Sequence, residues 1–159
     1  DFVDQVLQAI DTCGADPRRL KLELTESLLV DNMDETIAKM GALKARGIGF
    51  SLDDFGTGYS SLSYLQRFPF DKLKIDQSFV QELDREENVS IVNAMIAMGR
   101  GMNLNVVAEG VETEAQAAHL RQRGVQYAQG WLYSRPLPAG SPKPMREIFR
   151  PLRASRFAR

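Results

Sequence analysis

Carboxylates recur along this chain where apolar runs stop. Glu23 and Glu26 close a run that opens at Leu20, and Asp53 and Asp54 close one that opens at Ile48. Asp76 ends the run from Leu73, with Lys74 two residues earlier, and Glu109 and Glu112 follow the run from Leu104. Gln129 ends a last short run from Val125. Singly, each has a plain use. An Asp pair before glycine opens turns, a lone Glu caps a helix or joins a salt bridge, and a lysine in an alternating strand points to water. Together they need more explanation, because gathered like charges raise one another's energy. A divalent cation holds such a set. Oxygen-only donors suit Mg²⁺, Mn²⁺ or Ca²⁺ better than a zinc-like ion. A lysine among the carboxylates suits an anionic substrate or its attacking water. The chemistry these residues could do is metal-assisted hydrolysis of a phosphate ester.

Elements must bring them together. Helical spacing is read over about 1–12 (Phe2, Val3, Val6, Leu7 and Ile10), about 32–46 (Met33, Ile37, Met40 and Leu43), about 86–101 (Ile91, Met95 and Met98) and 113–123. A short helix with Leu62 and Leu65 follows the glycine-rich stretch 55–61, and a last one is read around 144–150. Between them, 20–24, 48–52, 73–75, 104–108 and 125–128 read as strands. The alternation argues for an α/β fold of about five parallel strands with helical crossovers, either an open sheet or part of a barrel. In both, all strand C-termini share one side, and sites are built there. Nothing resembling G-x-G-x-x-G follows a strand, which counts against a dinucleotide cofactor.

Composition narrows the class. The chain has 159 residues, 43% hydrophobic and 26% charged, with net charge −1, the values of an ordinary globular domain without a field for nucleic acid polymers. Residues 141–159 carry six Lys/Arg against Glu147, which leaves the first 140 residues at −6. This tail reads as solvated, and the acidic part as the place for a cation. One cysteine, Cys13, excludes an intrachain disulfide and is expected to be a small core residue. The single His119 excludes a multi-histidine site and is expected on a helix surface. No apolar run approaches the roughly 20 residues of a membrane span, so no membrane contact is expected from this segment.

The ordered motifs carry a resemblance. Glu23-Leu24-Thr25-Glu26-Ser27, Asp53 through Leu62 (DDFGTGYSSL), Lys74 through Val80 (KIDQSFV), Val107 through Thr113 (VAEGVET), Gln129-Gly130 and Ser134 through Pro138 (SRPLP) resemble the EAL domain family of cyclic di-GMP phosphodiesterases, in family order across about residues 1–140. The resemblance implies a partial TIM-like (β/α) barrel over 1–140, followed by a basic helix or tail over 141–159. It implies that the strands bearing the name-giving Glu-Ala-Leu, its following arginine and a metal-binding Asn precede this stretch.

The resemblance also implies roles. Two Mg²⁺ or Mn²⁺ ions are expected, the first held by Glu23 and Asp53, the second by Asp53 and Asp54. Glu109 is then a second-metal ligand or a base toward water, and Lys74 orients or activates the attacking water. Glu26 braces the loop after Asp54. Asp76, Glu112 and Gln129 are grouped with it as substrate-binding or loop-bracing. The substrate is cyclic di-GMP, the product the linear dinucleotide pGpG, and the place the bacterial cytoplasm. A homodimer through the loop after Asp54 and the adjacent helix is implied, and this segment alone is expected to be inactive. Two alternatives stand beside this. One is a non-catalytic EAL module that binds cyclic di-GMP or a protein, though such relatives tend to lose these residues. The other is an unrelated metal-dependent barrel phosphatase, which would match the carboxylates but not the ordered motifs.

Overall fold

The computed structural model describes residues 1–29, 32–58 and 65–138. Among these, five strands alternate with helices, in two compact units, Asp1–Lys72 and Leu73 onward. The expected helix at 144–150, the basic tail and most of the expected helix around Leu62 lie outside the described residues.

In the first unit α1 spans Phe2–Cys13, β1 Lys21–Thr25, α2 Met33–Lys44 and β2 Gly49–Phe55. Helix α1 starts where the Asp1 carboxylate accepts from the Val3 amide at 3.1 Å, satisfying one orphan donor of the first turn. Strands β1 and β2 pair in parallel, with Glu23 opposite Ser51 and Thr25 opposite Asp53. Because side chains alternate along a strand, Leu22 and Leu24 share a face with Phe50 and Leu52, while Glu23, Thr25, Ser51 and Asp53 share the other. Phe50 and Leu52 are buried, as are Met40 and Leu43 of α2. The end of the unit is tied down at Asp71. Its carboxylate accepts from Lys44 Nζ at 2.8 Å and from the Phe50 amide at 2.9 Å.

Strand β3 spans Lys72–Ile75, beginning at the last residue of the first unit, and in the second unit α3 spans Gln77–Gln81, α4 Glu86–Gly101, β4 Asn105–Ala108, α5 Glu114–Gln122 and β5 Tyr127–Ala128. Strand β3 borders β4, and β4 pairs in parallel with β5, Ala108 opposite Ala128. Helix α5 opens with a capping box. Thr113 Oγ1 accepts from the Gln116 amide at 3.2 Å, and Gln116 Oε1 accepts from the Thr113 amide at 3.0 Å.

Several phases differ from the sequence expectation. In α4 the buried stripe is Val92, Met95, Ile96 and Gly99, and Ile91 is exposed. The close approach at Gly99 decides this, since a Cβ there would lie 2.5 Å from Val106 Cγ2 of β4. In α1 only Ile10 is buried and Phe2 is exposed. Cys13 is exposed rather than in the core, its thiol donating to the Ala9 carbonyl at 2.6 Å. His119 is half-buried rather than on the surface, with Nε2 buried and unpartnered. Burial lowers its pKa from 6.5, and the nearby Arg123 charge adds to this. No helix among the described residues is long and apolar enough to cross a membrane.

Candidate functional site

The first unit holds Glu23, Glu26, Asp53 and Asp54. Asp53 and Asp54 are consecutive in β2, where side chains ordinarily point to opposite faces. Asp54 escapes that rule. Its φ is 51°, a left-handed conformation uncommon for any residue but glycine. Oxygens of the two carboxylates come within 4.8 Å of each other. A strained residue at the end of a strand, used to bring two anions together, is the kind of backbone outlier found at functional sites. Both side chains are half-buried, which limits the screening of their repulsion. The pair fits a hard divalent cation, which would relieve that repulsion with the oxygen donors it prefers.

Glu23 lies in the middle of β1 rather than at its end, and is exposed, on the same face as Asp53. Glu26 follows the strand and is buried at 5% exposure. Its Oε2 accepts from the amides of Gly56 at 3.3 Å and Gly58 at 3.0 Å. One buried carboxylate thus holds the backbone of the segment that leaves Asp54.

The second unit holds Lys74, Asp76, Glu109, Glu112 and Gln129. Lys74 does not reach solvent as a lone strand lysine would. It is buried, and its Nζ lies 2.8 Å from Glu109 Oε1. Gln129 donates through Nε2 to the same oxygen. The β4–β5 register explains the convergence, because 109 and 129 are the next positions after the Ala108–Ala128 pair. The Glu109 amide donates to the Ile75 carbonyl at 3.2 Å, and the Gln129 amide to the Ala108 carbonyl at 2.9 Å. A buried ammonium is costly unless paired and hydrogen-bonded, and Glu109 supplies the pairing. The arrangement presents a fixed cation, a fixed carboxylate and an amide at adjoining strand ends.

Asp76 has a local use. Its Oδ1 caps α3, accepting from the Ser78 amide at 3.0 Å and from the Ser78 hydroxyl. Glu112 is exposed, and its amide donates to Gln116 Oε1 at 2.8 Å. Sequence reasoning did not single out Trp131. It lies just beyond Gln129-Gly130, exposed, with the Arg135 guanidinium carbon 4.6 Å from its ring centre. The only hint was that it is the single tryptophan and falls inside the motif-bearing stretch.

Comparison with known proteins identifies the family. A family model described as EAL domain matches residues 1–136. The cyclic di-GMP phosphodiesterase NbdA of Pseudomonas aeruginosa is 46% identical over 138 residues, which cover 86% of this chain and 18% of that protein. The chain therefore spans less than a fifth of that relative's length. Among solved structures, the PaMucR phosphodiesterase in complex with c-di-GMP matches with a TM-score of 0.83 and 47% identity, over 86% of this chain and 56% of that one. A manganese and cy-diGMP complex of Klebsiella pneumoniae BlrP1 matches with a TM-score of 0.77 and 34% identity, over 86% of this chain and 35% of that one.

Proposed function

This chain belongs to the EAL domain family, its α/β fold is that of part of an EAL domain, and we propose that the protein carrying it is a metal-dependent phosphodiesterase. It hydrolyses cyclic di-GMP to linear pGpG in bacterial second-messenger signalling. The observation that carries this reading is the buried Lys74, held 2.8 Å from Glu109, with Gln129 on the same carboxylate oxygen. A structural ion pair alone gives no reason for a third polar group at a strand end.

Glu23 and Asp53 would hold the first ion, and Asp53 and Asp54 the second, with Glu109 as a further ligand of the second ion or as base. Two Mg²⁺ or Mn²⁺ ions would stabilise the attacking and leaving oxygens of an in-line displacement. Lys74 Nζ positions the attacking water and offsets charge on the phosphoryl oxygens, and Glu109, if it is the base rather than a metal ligand, accepts the proton of that water. Gln129 keeps Glu109 in place. Such transfer is mostly positioning and charge stabilisation. Glu26 braces the start of the loop after Asp54, and a cytoplasmic homodimer through that loop belongs to the same reading.

On this reading the 159 residues by themselves turn over little substrate, because the resemblance assigns further ligands of the first ion to strands outside them. The test is incubation of cyclic di-GMP with Mg²⁺ or Mn²⁺ and either the whole protein or this chain, with products separated by chromatography. The whole protein should yield pGpG, and this chain negligible amounts. A whole protein that binds cyclic di-GMP and leaves it intact would replace the enzyme by a binding module.

A further inference from the structure

The segment from Glu109 to Thr113 joins β4 to α5 and begins with the carboxylate that meets Lys74. Four of its five amides donate to named acceptors. Glu109 donates to the Ile75 carbonyl at 3.2 Å and Val111 to the Gln129 carbonyl at 3.0 Å. Glu112 and Thr113 donate to one atom, Gln116 Oε1, at 2.8 and 3.0 Å. Gln116 also acts outside its own helix. Its Nε2 donates at 3.2 Å to the carbonyl of Val80, at the end of α3, where helix carbonyls lack an intrahelical donor. With two N–H groups on one side and a C=O on the other, the amide has only one orientation that satisfies all three. A glutamate would complete the capping box equally well, but a carboxylate has no hydrogen to give Val80.

Helix α3 starts two residues after Ile75, the last residue of the strand that carries Lys74. The 109–113 segment and α5 meet the β3–α3 stretch at three points. Glu109 bonds Ile75, and Gln116 bonds Val80. Between them Gly110, at φ +65°, approaches Gln77 so closely that an added Cβ would lie 2.5 Å from the Gln77 Cβ. We propose that Gln116 is a positioning residue for the reaction. Its side-chain amide ties the 109–113 segment to α3, and so keeps the Glu109 carboxylate in register with the Lys74 ammonium. It acts through the segment, not on the reacting atoms. What the Lys74–Glu109 pair does rests on the phosphodiesterase reading, but the tie can be measured without turnover.

Three variants of the whole protein separate the tie from the helix cap. Thr113→Ala removes the hydroxyl that accepts from the Gln116 amide at 3.2 Å and leaves the tie. Gln116→Glu keeps the cap and removes the tie. Gln116→Met removes both and adds no charge. With cyclic di-GMP and Mg²⁺, both Gln116 variants should lose about tenfold or more in kcat, since roughly 1 Å of misplacement can cost a hundredfold. Their KM should stay within about twofold, because the loss falls on the reacting groups. Thr113→Ala should keep its kcat and melt roughly 2–4 °C lower. Amide hydrogen exchange, resolved to single residues, should quicken about fivefold at Glu109 and Val111 in both Gln116 variants, the scale of one lost hydrogen bond. It should be unchanged at those two amides in Thr113→Ala. Full kcat in Gln116→Glu would overturn the proposal. So would an equal loss in Thr113→Ala, which would make activity follow helix stability. Full kcat in Gln116→Met would do the same, by leaving the added charge as the cause in Gln116→Glu. A wild-type protein that forms no pGpG would sink the enzyme reading, and exchange would then decide the tie: quickening at Glu109 and Val111 upholds it, and unchanged rates end it.

Discussion

Gly130→Ala tests whether the strand end that carries Gln129 is held as closely as the geometry implies. A Cβ at position 130 would lie 2.2 Å from the Val111 carbonyl oxygen, 2.3 Å from its nitrogen and 2.7 Å from its carbonyl carbon. All three are backbone atoms and cannot rotate away, so one segment must move by about 1 Å. That movement threatens the Val111 amide bond to the Gln129 carbonyl (3.0 Å) and the Leu132 amide bond to the Val111 carbonyl (3.0 Å). Overpacking of this kind costs roughly 1–3 kcal/mol, and each weakened hydrogen bond about 1 kcal/mol. The φ of +155° adds strain for alanine. These contributions overlap, and a total near 3 kcal/mol is expected.

Two further glycines separate the causes. Gly14 closes α1 at φ +64° with nothing within 4 Å of an added Cβ, so Gly14→Ala carries only the left-handed penalty, about 1 kcal/mol. Gly41 lies inside α2 with neither clash nor positive φ. Gly41→Ala should therefore stabilise by roughly 0.5–1 kcal/mol. Urea unfolding of this chain, followed by circular dichroism, reads all three from midpoints at constant slope. Should Gly130→Ala cost no more than Gly14→Ala, the close packing of Gly130 on Val111 would be wrong, and with it the rigid placement of Gln129.

Other outcomes follow from the same structure. In the whole protein, Asp53→Asn should abolish pGpG formation with little change in melting temperature, since the carboxylate proposed to serve both ions loses charge but not shape; near wild-type turnover would remove Asp53 from the mechanism. Glu26→Ala should speed hydrogen exchange at the Gly56 and Gly58 amides, and unchanged rates would contradict the bracing role. For Asp71, burial pushes the pKa up, but the Lys44 ammonium and the Phe50 amide together hold it below its ordinary 3.8. A depressed carboxylate stabilises the fold above its unfolded pKa and stops doing so as pH falls through the folded one. The stability gap between wild type and Asp71→Asn should thus be full at neutral pH and close below pH 3.8; a gap that persists there would mean the contact is not electrostatic.

Much of the fold was legible in residue types. Helix α4 was read over about 86–101 and spans Glu86–Gly101, because its apolar spacing is long and its end is marked by glycine. The five strands fell within a few residues of their expected positions, since β-branched and apolar runs are local signals. The grouping of acidic residues after those runs was equally visible. A strand order and a register are all that is needed to turn that grouping into a half-site such as Glu109 with Gln129.

What a one-dimensional pattern does not contain is which partner each side chain meets. The apolar spacing in α4 fits a stripe through Ile91 or one through Val92, and only the approach of Gly99 to Val106 selects the second. Asp76 ends its strand like the other acids, yet the helix beginning at Gln77 takes its carboxylate for a cap. Lys74 sits in a run that permits an outward lysine, and it is buried because Glu109, 35 positions away, offers an ion pair there. The sequence by itself determined the α/β alternation, the family motifs and the presence of carboxylates on or just after the strands, because composition and spacing are carried by neighbouring residues. Only the tertiary structure decided burial, pairing and the left-handed turn at Asp54. Those depend on atoms brought together from distant parts of the chain, where the cost of burying a charge is set by its partner rather than by its place in the sequence.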